Sequence, residues 1–184
     1  MRILISGTPG VGKTEISKIL SLKFNFLYFS VSKFILENKL YTSYDSKRET
    51  YNIDDSVIQK INDQINKMDN VIIETIYPSL VDNADKIIVL RKNPFVLYKD
   101  LKDRNWGDLK IAENVEAEIL GVIAQEAREW FKNICEIDVT NKSREEVVKN
   151  IIDNRCDNVD WLSDDRIQDL LIELDKIISL YENK

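Results

Sequence analysis

Gly7-Thr8-Pro9-Gly10-Val11-Gly12-Lys13-Thr14 fits the phosphate-loop pattern G-x-x-x-x-G-K-[ST] at every fixed position. Arg2-Ile3-Leu4-Ile5-Ser6 before it is a short apolar run, as a buried parallel strand should be. After it, Glu15 to Phe24 carries Ile16, Ile19, Leu20 and Phe24 at helical spacing. Strand, glycine loop and helix are what phosphate binding requires, because loop N–H groups and the positive helix end together cradle an anion. Gly7, Gly10 and Gly12 are expected to let the backbone bend and come close, since a Cβ there would clash. The loop predicts a nucleotide-binding set of Gly7, Pro9, Gly10, Val11, Gly12, Lys13, Thr14 and Glu15. In it Lys13 reaches the β- and γ-phosphates and the Thr14 hydroxyl ligates Mg²⁺.

Outward from the loop, strands and helices alternate, which predicts an α/β fold: a parallel sheet with helices on both faces. Further strands are expected at Phe26–Ser30, Val71–Glu74, Ile87–Leu90 and Ile134–Val139. Helices are expected at Val31–Asn38, from Asp54-Asp55 with the stripe Val57, Ile58, Ile61 and Ile65, and from Pro94 to about Asn105. A long helix follows at about Leu109 to Lys132, and a capping box at Ser143-Arg144-Glu145-Glu146 opens another. Tyr41 to Ile53 is polar and lacks periodicity, and reads as a functional loop. Asp164 to Tyr181 is amphipathic throughout. It either packs on the sheet's flank or binds a partner.

The 184 residues suit one domain with a sizeable core. Hydrophobic residues make up 43% and charged ones 32%, the balance of a soluble globular protein. The two cysteines, Cys135 and Cys156, form no C-x-x-C pair, so free thiols in a reducing cytoplasm are expected, with Cys135 a buried filler. The absence of histidine removes histidine general-base catalysis. No run approaches about 18 apolar residues, so neither a membrane span nor a signal peptide is expected. A net charge of −6 disfavours non-specific binding to DNA or RNA. Residues 151–184 carry nine acids and four bases, which leaves residues 1–150 close to neutral.

Three further groups point to phosphoryl chemistry. Glu74 ends a strand at the carboxyl edge of the sheet, where phosphate-loop proteins hold Mg²⁺ near the loop threonine. Arg91, Lys92, Lys99, Lys102, Arg104 and Lys110 surround the helix after Pro94. Arg104, just before the break at Asn105-Trp106-Gly107-Asp108, is best placed to close over a transferring phosphoryl, with Arg128 a second candidate. Lys99 and Lys102 fit a solvated helix face. Thr140-Asn141-Lys142 lies where a nucleobase is received, with Asn141 a candidate contact.

The stretches Ile5-Ser6-Gly7-Thr8-Pro9-Gly10-Val11-Gly12-Lys13-Thr14, Leu40-Tyr41 with Tyr44-Asp45, Asn52-Ile53-Asp54 with Val57, Val89-Leu90-Arg91 and Ile111-Ala112-Glu113-Asn114-Val115-Glu116-Ala117-Glu118 resemble the adenylate kinase isoenzyme 6 family, over about residues 1–150. The resemblance implies a nucleoside monophosphate kinase fold of the phosphate-loop type, in three layers around a five-stranded parallel sheet. It divides the chain into a kinase domain at 1–153 and an acidic helical extension at 154–184. An acceptor-nucleotide segment falls at about 30–53, and a lid at about 104–113. By position, Gly10, Gly12, Lys13, Thr14 and Arg104 match the family's ATP contacts. Lys13, Arg104 and Glu74 become the catalytic candidates, Thr14 and Glu74 the metal candidates, and Ser30, Lys33, Asp45 and Arg48 the acceptor contacts. The implied activities are ATP:AMP phosphotransfer and Mg²⁺-dependent ATP hydrolysis by a monomer acting in small ribosomal subunit maturation, with a basic small-subunit ribosomal protein as partner. The family often has Asp, and in many members a His two residues later, where this chain has Glu74 and Ile76; any role for that His is absent. Two alternatives stay open: an assembly factor whose nucleotide cycle is a switch, and a kinase of another small acceptor.

Overall fold

Most strands of the main sheet lead into an α-helix, and crossover connections of that kind are what parallel pairing requires. In the computed structural model, which describes residues 1–182, β1 is Arg2–Gly7, α1 Lys13–Phe24, β2 Leu27–Ser30 and α2 Val31–Glu37. A hairpin of β3 (Ser43–Asp45) and β4 (Thr50–Asn52) precedes α3 (Asp55–Ile65) and β5 (Val71–Glu74). Then come β6 (Lys86–Arg91), α4 (Pro94–Asp103), α5 (Asp108–Leu120), α6 (Val122–Trp130), β7 (Cys135–Asp138), α7 (Arg144–Ile152) and α8 (Asp165–Glu182). The five-stranded sheet has the order β2-β5-β1-β6-β7, parallel throughout. Its central strand β1 delivers the phosphate loop at the carboxyl edge.

The two-residue period of β1 divides the core. Ile3 and Ile5 face one layer with Leu20, Leu97, Val115 and Val148, while Leu4 faces the other with Val57, Ile61 and Ala124. Ile167, Leu170 and Leu174 of α8 are buried in the first layer, so the terminal helix packs on the flank of the domain.

Three expectations are corrected. The polar stretch 41–53 contains the antiparallel pair β3–β4. Tyr44 and Tyr51 stand opposite each other with ring centroids 4.9 Å apart, and the Tyr41 ring lies tilted against Tyr51 at 4.6 Å. Neither strand has a buried face, so no apolar alternation marks them. The long helix after the break is two helices, divided at Gly121 with φ +66°. α5 buries its apolar side in one layer and α6 in the other, and hydrophobic periodicity does not report which face of a sheet a helix covers. The cysteines are not free: Cys135 and Cys156 form a disulfide with Cα atoms 5.2 Å apart. The chain returns after α7 along the exposed edge of β7, where the Asp157 N–H donates to the Glu136 carbonyl at 2.8 Å. That return, not any local motif, brings the sulfurs together.

Candidate active site at the phosphate loop

The loop between β1 and α1 relies on glycine for two different reasons. At Gly7 a Cβ would sit 2.5 Å from the Leu90 carbonyl oxygen of β6, so the side chain must be absent. At Gly12 the space is open and φ is +99°, so glycine is needed there for the expected bend and not for a close approach. Lys13 folds back beneath the loop and donates to the carbonyls of Gly7 (2.7 Å) and Thr8 (3.1 Å). Burial pushes its ammonium down to about 8; Glu74 and then Glu118 oppose this, and Arg104 adds to it.

Glu74 ends β5 beside the first turn of α1. Its Oε1 accepts from the Thr14 hydroxyl at 2.7 Å, and its Oε2 accepts from the Tyr28 hydroxyl of β2. Burial and the Glu74 carboxylate push the Tyr28 phenol well above its ordinary range. Thr14 and Glu74 present hard oxygen donors on adjacent elements. Among the described residues no cluster of three metal-binding side chains exists. Mg²⁺ suits such a sparse set, since it keeps several waters and takes phosphate oxygens as further ligands.

A cavity of about 590 Å³ opens over this pair, lined by Gly10, Lys13, Thr14, Glu74, Arg104 and Trp106 among others. Arg104 therefore lies where the sequence predicts, at the end of α4, with its guanidinium 5.9 Å from the centre of the Trp106 ring. Glu15 lines the same cavity and pairs with Arg144 at 2.6 Å. Lys92 also lines it, reaching the Gly10 carbonyl at 3.4 Å and pairing with Asp100. Arg128 is not there: it pairs with buried Glu136, which also holds Arg91. Lys102 lies over Tyr98 at 4.9 Å.

A second cavity, of about 430 Å³, lies between the β3–β4 hairpin and α5, and shares Pro9, Ile76 and Trp106 with the first. Arg48, Tyr51, Tyr77 and Lys110 line it. Arg48 Nε donates to Glu113 at 2.9 Å and Lys110 pairs with Glu49 at 3.5 Å, so two ion pairs bridge hairpin and helix. The other acceptor candidates do not line it. Asp45 holds the hairpin turn by accepting from the backbone N–H of Lys47 and Arg48, and that of Arg48 does most to keep its carboxyl below the usual range. Ser30 caps α2, and Lys33 pairs with Glu37 at 3.6 Å on the surface. Asn141 is exposed in the turn after β7 and lines neither cavity.

Sequence reading passed over the groups that hold these candidates in place: Tyr28 on Glu74, Thr8 on Glu118 of α5 at 2.7 Å, and Trp106 between the cavities. Glu118 falls inside the stretch that carries the resemblance, but nothing local marks a bond across 110 positions.

Comparison with known proteins bears on the family and the fold. Residues 3–121 match the family described as AAA domain. A Sulfurisphaera tokodaii protein named "Putative adenylate kinase" is 58% identical over 183 residues, covering 100% of this chain and 97% of its own. A Saccharolobus solfataricus protein of the same name is 55% identical over 185 residues, covering 100% and 99%. Among solved structures, shikimate kinase from Bacteroides thetaiotaomicron superposes with a TM-score of 0.59 at 20% identity, over 84% of this chain and 97% of that one. Thymidylate kinase from Candida albicans superposes with 0.54 at 18% identity, over 83% and 89%. These two share the fold: an α/β sandwich of the phosphate-loop kinase type. With more than half of its residues identical to the two archaeal proteins from end to end, the chain belongs to their family, the adenylate kinase-like phosphate-loop proteins.

Proposed function

We propose that the protein transfers the γ-phosphoryl group of Mg-ATP to AMP, giving two ADP. The observation that carries this reading is the pair of cavities meeting at Pro9, Ile76 and Trp106. A donor phosphate on the loop and an acceptor phosphate near Arg48 and Lys110 would approach each other across that shared wall. Relatives that carry the name "Putative adenylate kinase" support the choice of acceptor.

Lys13 and Arg104 would neutralise the equatorial oxygens of the transferring group. Thr14 and Glu74 would hold Mg²⁺, which supplies charge stabilisation when bound. Tyr28 would keep the Glu74 carboxylate oriented. Arg48 and Lys110 would exchange Glu113 and Glu49 for the acceptor phosphate. Transfer needs positioning and little covalent help, so a site without histidine suffices. Ile76 in the shared wall disfavours water there, which favours transfer over hydrolysis.

The test is product analysis by chromatography, with Mg-ATP alone and with AMP, CMP, GMP or UMP, and Lys13→Ala as the blank. The expected result is ADP formed at twice the rate of AMP loss, with AMP alone supporting it. Slow ATP hydrolysis without loss of any monophosphate would overturn the transferase reading. Turnover with a different monophosphate would reassign the acceptor.

A second reading, the isoenzyme 6 type of role, is a cytoplasmic assembly factor in small ribosomal subunit maturation whose ATP hydrolysis responds to a basic ribosomal protein. The acidic flank favours it. Burial, Asp175, Glu113 and Glu182 together raise the Glu116 carboxyl, so α5 and α8 gather negative charge on one side. Acceleration of ATP hydrolysis by a basic small-subunit ribosomal protein, lost on charge reversal at Asp169, Glu173 and Asp175, is the expected outcome. Hydrolysis indifferent to such proteins would sink it.

A further inference from the structure

Glu118 is 1% exposed, and both its carboxylate oxygens are engaged. Oε1 accepts from Arg91 Nε at 2.8 Å, from the Lys92 N–H at 3.1 Å and from the Trp161 indole N–H at 3.0 Å. Oε2 accepts from the Thr8 hydroxyl at 2.7 Å. Three separate parts of the chain thus converge on one side chain of α5: the phosphate loop, the end of β6, and the segment that follows α7.

A core ion pair would explain Arg91 alone, and Arg91 already has a second carboxylate in Glu136. It does not explain the oxygen aimed at the loop. Thr8 is itself 1% exposed, and its carbonyl accepts from Lys13. The Thr8 hydroxyl bond therefore fixes a residue that carries the Lys13 ammonium. On the other side, Trp161 arrives on a segment anchored three ways. Cys156 is bonded to Cys135, Asp157 accepts from the Asp138 N–H at 2.9 Å, and Asp157 pairs with Lys142 at 2.6 Å.

We propose that Glu118 is a positioning residue for the phosphate loop, fixing Thr8 through its hydroxyl while Trp161 of the C-terminal segment holds the Glu118 carboxylate in place. The acidic extension is then part of the nucleotide site's support, at one remove from the phosphates. The proposal rests on the reading that the loop binds ATP.

The test is calorimetric titration of the full chain with Mg-ATP. Thr8→Val keeps the shape and removes the hydroxyl; it is expected to weaken binding about tenfold, and Thr8→Ser to restore it to within about twofold. Trp161→Phe is expected to weaken binding about threefold, and to add little when combined with Thr8→Val, because both act along one path. Rescue by serine is the readout that general loosening does not move, since serine restores the hydroxyl that Glu118 accepts from. Glu118→Gln keeps the shape and weakens that acceptor, and is expected to weaken binding about threefold; should it fail to fold, the Thr8 pair carries the test alone. Wild-type binding with Thr8→Val unchanged overturns this proposal by itself. No binding of Mg-ATP by the wild type overturns the nucleotide reading of the loop, and this proposal with it.

Discussion

The Thr14 hydroxyl donates to Glu74 at 2.7 Å across 60 positions of sequence, joining the first turn of α1 to the end of β5. Glu74→Gln keeps the shape and removes the charge. The Mg²⁺ concentration for half-maximal turnover is expected to rise about 10- to 100-fold, at least the loss seen when a group that merely orients a metal's ligands is removed. Magnesium titration of steady-state turnover checks this. An unchanged requirement would assign Glu74 to holding Thr14 alone.

Lys13 sets a pH limit. Its ammonium loses its proton at about 8 in the free protein, and only the charged form attracts phosphate. Affinity for Mg-ATP is therefore expected to be about tenfold lower at pH 9 than at pH 7, provided bound phosphates hold the proton. For folding the sign is opposite. Between about 8 and the ordinary lysine value of 10.5, the unfolded chain binds the proton that the folded one has released, so this group's contribution to stability rises with pH. Calorimetric titrations across the range check the first effect, and denaturant midpoints of Lys13→Met against wild type check the second.

Ile76 forms part of the wall between the two cavities. Ile76→His would introduce a group able to take a proton from water near neutral pH. ATP hydrolysis without acceptor is expected to rise about tenfold or more, while transfer to the acceptor falls. Phosphate release measured with and without AMP separates the two. Hydrolysis unchanged in the variant would mean that water does not reach the transferring phosphoryl from that wall.

The Cys135–Cys156 bond closes a sequence separation of 21 residues. Loop-closure entropy gives such a link about 3 kcal/mol. Reduction, or the paired change Cys135→Ser with Cys156→Ser, is expected to lower Tm by about 6–12 °C in a chain of this size. Differential scanning calorimetry with and without reductant checks it. A melting point indifferent to reductant in the wild type would show that the bond adds nothing to stability.

The sequence was most legible where structure is local. The loop at 7–14 and the carboxylate at 74 could be placed because a strand end, a glycine pattern and a helix start lie in contiguous stretches. Arg104 was legible from its place just before a helix break, and it lines the cavity. Arg128 was misread, because a place on a helix does not say that Glu136 of β7 holds it. Lys33 and Asp45 were picked for lying in the acceptor segment, yet one pairs along its own helix and the other builds a turn.

The sequence by itself determined the alternation of strands and helices, the conformation demanded at the glycine loop, and the amphipathic face of α8. All of these depend on neighbours within a few residues, where backbone geometry sets the spacing. Tertiary structure alone decided that α5 and α6 cover opposite faces of the sheet, that Cys135 meets Cys156, and that Thr8, Arg91 and Trp161 share Glu118. Strand order and the packing of helices on the sheet bring such groups together across dozens of positions. A donor and an acceptor that far apart leave no periodic trace in the chain that joins them.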